Sequence, residues 1–157
     1  MKKLALAALI FGLGAMGFAE GYFVGAEIIP HTFSTATYGI PYLTIGYDAG
    51  WGYAYLGYAS PGYLNSWISI SGGGLWGLTT QTFIGGGVSF WMKLQNFGVE
   101  TGTWSVNFLG LYKFDSSLAA VLRFHIPLQV DPNKFLMGLW LSFGIEYYIW
   151  SGAPTGK

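Results

Sequence analysis

The sequence predicts an all-β protein, an antiparallel up-and-down transmembrane β-barrel of eight strands, and three observations predict it. The first is alternation. In "SLAAVLRFHIPLQVD" (117–131) the even positions Leu118, Ala120, Leu122, Phe124, Ile126, Leu128 and Val130 are apolar without exception, whereas the odd ones include Ser117, Arg123, His125, Pro127 and Gln129. Successive side chains of a strand point to opposite faces, so this segment has one greasy face and one polar face. The second is composition. Only 9 % of the 157 residues are charged and 19 % are aromatic, against roughly 25 % charged in an ordinary soluble domain. The third is punctuation, since clusters of Asp, Asn, Pro, Gly and Ser separate the alternating runs, as turns require.

Helices are a poor alternative. A membrane-spanning helix needs ~20 consecutive apolar residues, and the best stretch, "FLMGLWLSFGIEYYIW" (135–150), is shorter and contains Glu146. On a helix the polar residues of 117–131 would scatter around the circumference. Strands can span a membrane only as a closed barrel, because unpaired backbone polar groups are not tolerated in hydrocarbon. Disorder is excluded by the low charge and high aromatic content. The absence of cysteine excludes a disulfide framework and a thiolate metal site.

The N-terminal "MKKLALAALIFGLGAMGFAE" has a basic start at Lys2 and Lys3, an apolar run from Leu4 to Leu13, and a small-x-small site at Gly17-Phe18-Ala19. This predicts a cleaved signal peptide over 1–19, a barrel over 20–150 and a C-terminal tail over 151–157. Loss of Lys2 and Lys3 leaves five Lys/Arg against seven Asp/Glu, a formal charge of −2. No basic patch remains for nucleic acid.

The expected strands are 21–29, 40–48, 51–59, 66–77, 81–94, 98–114, 117–130 and 134–150. A longer loop is expected at "PHTFSTATYG" (30–39) with His31 in it, then turns at "DAG" (48–50), "SPGYLN" (60–65), Thr79-Thr80, "LQNFG" (94–98), "DSS" (115–117) and "DPNK" (131–134). In 102–114 the odd positions Thr103, Ser105, Asn107 and Lys113 oppose the even Trp104, Val106, Phe108, Tyr112 and Phe114. In 135–150 the odd face carries Phe135, Met137, Leu139, Leu141, Phe143, Ile145, Tyr147 and Ile149. Pro127 lacks a ladder donor, so it implies a bulge or an earlier end to the seventh strand.

Face matching sets registers for the last three strands. A two-residue turn at Pro132-Asn133 pairs Asp131 with Lys134, and an odd-length loop at 115–117 places Phe114 beside Leu118. These registers predict the inward rows Asn107–His125–Trp140 and Leu109–Arg123–Ser142, with Lys113 and Glu146 flanking Ala119 closely enough for an ion pair.

From the signal peptide through Trp150, this pattern resembles the small eight-stranded bacterial outer-membrane barrels, the class of the OmpA membrane domain and OmpX. The resemblance implies residence in the outer membrane, insertion by the outer-membrane assembly machinery, and a barrel filled by its own side chains. The chain departs from the class in ending "SGAPTGK" after Trp150 rather than on an aromatic residue. Its outward loops are also short, which argues against an adhesin.

An eight-stranded barrel is only wide enough for side chains to fill it, and charge buried there must be paired. Glu27, Lys93, Asn107, Lys113, Arg123, His125 and Glu146 therefore read as an interior polar network, with a narrow polar path as the alternative. The runs Gly72-Gly73-Gly74 and Gly85-Gly86-Gly87 read as a tight corner making room for an aromatic such as Trp91 or Trp140. The sharper alternative is a crevice for a lipid chain or other apolar ligand. His125 could meet Ser105 or Ser142 with Glu146 nearby as a lipid-acting triad, but Asn107 is the expected partner. No residues have the spacing of a metal site. The expectation is a monomeric, non-enzymatic barrel with no cofactor, in contact with the bilayer. A narrow channel or carrier, a lipid-modifying enzyme and a soluble barrel for an apolar ligand are the competitors.

Overall fold

The computed structural model describes residues 21–33, 36–62, 65–95, 98–128 and 140–151. Among them the strands run in the order β1 (Gly21–Phe33), β2 (Ala36–Asp48), β3 (Gly52–Gly62), β4 (Asn65–Gly77), β5 (Thr82–Gln95), β6 (Gly98–Lys113), β7 (Leu118–Pro127) and β8 (Trp140–Ser151). Each pairs antiparallel with its sequence neighbour, and β8 pairs back onto β1, so the sheet is a closed eight-stranded barrel. Closure leaves no open edge for another chain to extend.

Register fixes the shape. Following partners around the wall from Leu111 leads through Val121, Gly144, Glu27, Tyr42, Ala59, Trp67 and Lys93 back to β6 at Thr101, ten residues from the start. A stagger of ten rises of ~3.3 Å across eight spacings of ~4.8 Å tilts the strands by about 40°.

Three short reversals lie at the end of the barrel that also holds Gly21 and Ser151. At the first, Asp48 Oδ1 accepts from the Gly50 N–H at 2.7 Å, and Gly50 adopts φ 78°, a left-handed conformation that suits glycine. At the second, Thr79 Oγ1 accepts from the backbone N–H groups of Gln81 and Thr82. At the third, Asp115 Oδ1 accepts from those of Ser117 and Leu118, while the Phe114 N–H donates to the Leu118 carbonyl. Each turn thus supplies its own side-chain acceptor, as the sequence punctuation implied.

The predicted registers of the last three strands are the observed ones: Asn107 pairs His125 and His125 pairs Trp140, while Leu109 pairs Arg123 and Arg123 pairs Ser142. Ala119 stands between Lys113 and Glu146. Other expectations need correction. The loop expected over 30–39 is largely strand, because the β1–β2 ladder continues through Pro30–Gly39 and His31–Tyr38 to Phe33–Ala36. His31 is therefore a strand residue. β3 extends past Ser60-Pro61 to a Gly62–Asn65 pair, with a register shift between Ala59 and Gly62. A bulge is where a strand tolerates proline. β7 stops at Pro127 with no register shift against β6, so the earlier end applies. β8 includes Ser151, one residue into the expected tail. The signal segment and the 131–134 turn lie outside the described residues.

The two wall faces are opposite in character to those of a soluble barrel. Val24, Ile45, Leu56, Ile70, Val88, Leu122, Phe143 and Ile145 are exposed on the outside. Trp51, Trp76 and Phe114 are also exposed, at or beside strand ends, and Tyr58 and Trp104 are exposed within their strands. The interior holds Glu27, Asp48, Arg123 and Glu146, each no more than 3 % accessible.

The barrel interior as candidate functional site

Arg123, midway along β7, organises the charged half of the interior. Its Nη1 donates to Glu27 Oε1 on β1 and its Nη2 to Glu146 Oε1 on β8. Its guanidinium lies over the Tyr55 ring, 4.5 Å from the centroid. Glu27 also accepts from Ser142 Oγ at 2.6 Å and from Thr44 Oγ1 at 3.4 Å. Gly144 makes this meeting possible. A Cβ there would run into the Ala26 carbonyl and lie 2.5 Å from Glu27 Cα, so only glycine lets β8 approach β1 this closely.

The network continues toward the short-turn end. Tyr148 donates to Asp48 Oδ2 at 3.1 Å, with Glu146 Oε2 at 3.4 Å, and Lys113 Nζ sits 3.0 Å from the same Asp48 oxygen. The ammonium also faces the rings of Phe83 and Tyr148 at 4.8 and 5.1 Å, a cation–π arrangement. The expected Lys113–Glu146 pair needs correction. Lys113 bonds Asp48, while Glu146 bonds Arg123, whose guanidinium draws it and Glu27 together. Lys93 lies half-buried toward the other end, in the row of Trp67 and Thr101.

A neutral network fills the middle. Tyr53 O–H donates to Asn107 Oδ1, Asn107 Nδ2 donates to Ser89 Oγ at 2.7 Å, and Ser71 Oγ donates to Ser89 Oγ at 2.7 Å. His125 Nδ1 lies 3.5 Å from Ser89 Oγ, at the long limit of a hydrogen bond. His125 is therefore served by Ser89 rather than by Asn107, its backbone partner, and it stands edge-on to Trp91 with ring centroids 5.1 Å apart.

The triad geometry weighed from sequence is not assembled. Ser105 Oγ accepts from Trp91 Nε1 at 3.2 Å and Ser142 donates to Glu27. His125 Nε2 has no acid partner among the described residues. Among those residues no group of three His, Asp or Glu could hold a metal ion.

The glycine runs do face each other, with Gly73 opposite Gly87 and Gly74 opposite Gly86. Gly73, Gly85 and Gly87 point inward. A Cβ on Gly73 or Gly87 would enter the backbone of the other strand, at Gly86 and Gly72 respectively. The aromatic over this corner is Tyr53, not Trp91: it pairs with Gly73, and its Cε1 lies 3.1 Å from where a Gly85 Cβ would be. Beside it a void of about 10 Å³, lined by Asp48, Tyr53, Arg123, Glu146 and Tyr148 among others, is large enough for about one water.

Asp48, Tyr53, Ser89 and Tyr148 were absent from the sequence-predicted network. Asp48 shares its parity with Tyr42 and Thr44, a signal of inward direction that its turn role obscured. Ile29, Ile40, Trp67 and Trp91 are buried toward the opposite end, and Leu75 and Leu111 toward the short turns.

No protein-family model matches the chain, and no curated protein matches it. Among solved structures the chain is similar to a de novo designed transmembrane β-barrel, TMB2.3, determined by solution NMR. The TM-score is 0.58 at 11 % identity, over 85 % of this chain and 98 % of the designed one. That likeness concerns fold alone. It supports the closed-barrel architecture and assigns the chain to neither OmpA nor OmpX relatives.

Proposed function

We propose that this chain is a monomeric outer-membrane barrel whose role is structural or interactional, with its interior occupied by its own side chains. The observation that carries the reading is the inversion of the wall: aliphatic side chains outside, and Arg123 with its two glutamates inside. Hydrocarbon is the solvent that such an exterior suits, and aromatics toward the ends suit the membrane interfaces. The basic-then-apolar N-terminus supports export, and its partners would be the bilayer and the assembly machinery. In this reading the interior is filled by its own side chains, many of them hydrogen-bonded to one another, and no catalytic role is assigned to His125.

A cold-versus-boiled gel comparison on protein from outer-membrane extracts tests the placement. A mobility shift on boiling is expected, whereas protein recovered free of membrane would overturn it. Planar-bilayer recording tests the filled interior: a flat baseline is expected, and discrete reproducible conductance steps would replace this reading with a narrow channel.

A further inference from the structure

The wall is closed around its girth, but at the end away from the short turns two of its ladders stop before their strands do. β1 and β8 part after Ile28–Phe143, although β1 runs on to Phe33 and β8 begins at Trp140. β2 and β3 part beyond Tyr42–Ala59, although β2 begins at Ala36 and β3 runs on to Gly62. Between the two breaks β1 and β2 stay paired with each other, from Ile29–Ile40 to Phe33–Ala36. Among the described residues, backbone pairing thus fastens this hairpin tip to the barrel only at its base, whereas β4–β5 and β5–β6 stay paired as far as Gln95. Proline explains both breaks. Three of the chain's six prolines stand at them, Pro30 on β1, Pro41 on β2 and Pro61 on β3. The β1–β2 ladder passes through Pro30–Gly39 and Ile28–Pro41 without a shift. The missing donors therefore fall on the outer sides of the hairpin, toward β8 and β3. For the same reason those sides are poor templates for an added strand.

What holds the tip down is apolar burial. Ile29 and Ile40 are cross-strand partners that turn inward and are 3 % and 2 % accessible. They share a packed cluster with Tyr42, Trp67 and Trp91. In that cluster the Tyr42 and Trp91 rings stack with centroids 5.6 Å apart, and the Tyr42 hydroxyl lies 2.8 Å from Ser69 Oγ. Farther in, Arg123 and its two glutamates fill the section. A segment fixed by side-chain burial without flanking ladders opens at lower cost than the wall that carries it. We propose that the β1–β2 tip, residues 29–33 with 36–41, is a lid that swings about Ile28 and Tyr42. Its lifting opens a blind, aromatic-lined mouth and no path through the barrel. The inference needs the closed barrel but not its residence in a membrane.

The chain has no cysteine, so a single introduced thiol reports access. Ser69→Cys places it under the lid and Ser89→Cys places it in the mid-barrel network, and both serines are 0 % accessible. Each full-length variant, in detergent and running as the unboiled gel form, is treated with a small water-soluble methanethiosulfonate and followed by intact mass. Ser69→Cys should label several-fold faster than Ser89→Cys. Adding Ile29→Ala and Ile40→Ala should speed labelling at 69 several-fold and leave 89 unchanged. Adding Pro30→Val and Pro41→Val instead restores both donors, lets the two ladders extend, and should slow labelling at 69 several-fold. Equal rates at 69 and 89 would mean that the whole barrel loosens, and no labelling at 69 would mean that the tip stays shut; either result overturns the lid. So would a rate at 69 that neither pair of substitutions changes. If Ser69→Cys does not fold, Ala59→Cys takes its place, since Ala59 is also 0 % accessible and pairs with Tyr42 and Trp67.

Discussion

Arg123 and Glu27 stand on β7 and β1, strands that do not pair, yet their side chains bond across the intervening β8. Removing the cation strands two carboxylates in an interior where neither is more than 3 % accessible. Arg123→Ala should therefore cost about 3–5 kcal/mol, read as a lower urea midpoint for loss of the unboiled gel form. Replacing the trio together, as Glu27→Gln, Arg123→Met and Glu146→Gln, should recover most of that loss. A triple variant no better than Arg123→Ala would mean that packing, not charge, is what the arginine supplies.

The two glycine faces should respond in opposite ways. Gly73→Ala forces a methyl group into the Gly86 backbone and should destabilise by about 1–3 kcal/mol, as overpacking does. Gly86→Ala meets open space and restricts the unfolded chain, which changes stability by about 1 kcal/mol or less. Equal effects in thermal unfolding would contradict the close approach at Gly73.

Tyr53→Phe keeps the ring over the glycine corner and removes only the bond to Asn107. The Asn107 carbonyl oxygen is then left buried, at a cost of about 1–3 kcal/mol. The double variant Tyr53→Phe with Asn107→Leu should lose less than the sum of the two single losses, because the Tyr53–Asn107 bond is counted in both, while the Asn107–Ser89 bond is lost only with Asn107. Additive losses in a double-mutant cycle would separate them.

The exterior offers a depth test. Leu122→Arg, midway along β7, should cost about 2–4 kcal/mol in a bilayer, and Trp51→Arg, at a strand end, about 0–1 kcal/mol. A soluble barrel would accept both as ordinary surface changes, so indistinguishable stabilities in lipid would count against the membrane reading.

The parts of the fold that were legible in the sequence are those where face and turn constrain each other. For β6 to β8, alternation fixed the faces, and the expected turns at 115–117 and Pro132-Asn133 fixed the two offsets, which was enough to place Arg123 between Leu109 and Ser142. For β1 and β2 the same logic stalled, because "PHTFSTATYG" reads as a loop when its proline and small polar residues are taken one at a time. Alternation says nothing about reach, so the ion pairs were only half visible. Arg123 crosses rows to find its acids, and it can do so because Gly144 brings Glu27 inward. That dependence on a missing side chain has no periodic signature. Asp48 was hidden for a related reason, since one of its oxygens caps the turn while the other serves Lys113 and Tyr148.

The β1–β8 seam also sets a timetable. Glu27 meets Ser142 at a separation of 115 residues and Arg123 at 96, and Asp48 waits 100 residues for Tyr148. The first strand synthesised thus acquires its second neighbour only when the last one exists. Contacts this distant in sequence are slow to form. Until closure, one side of β1 is an unpaired edge that can recruit other chains. A handler that shields the unclosed sheet is therefore built into the requirements of this topology, and a chain lacking β8 has no closed state to reach at any speed.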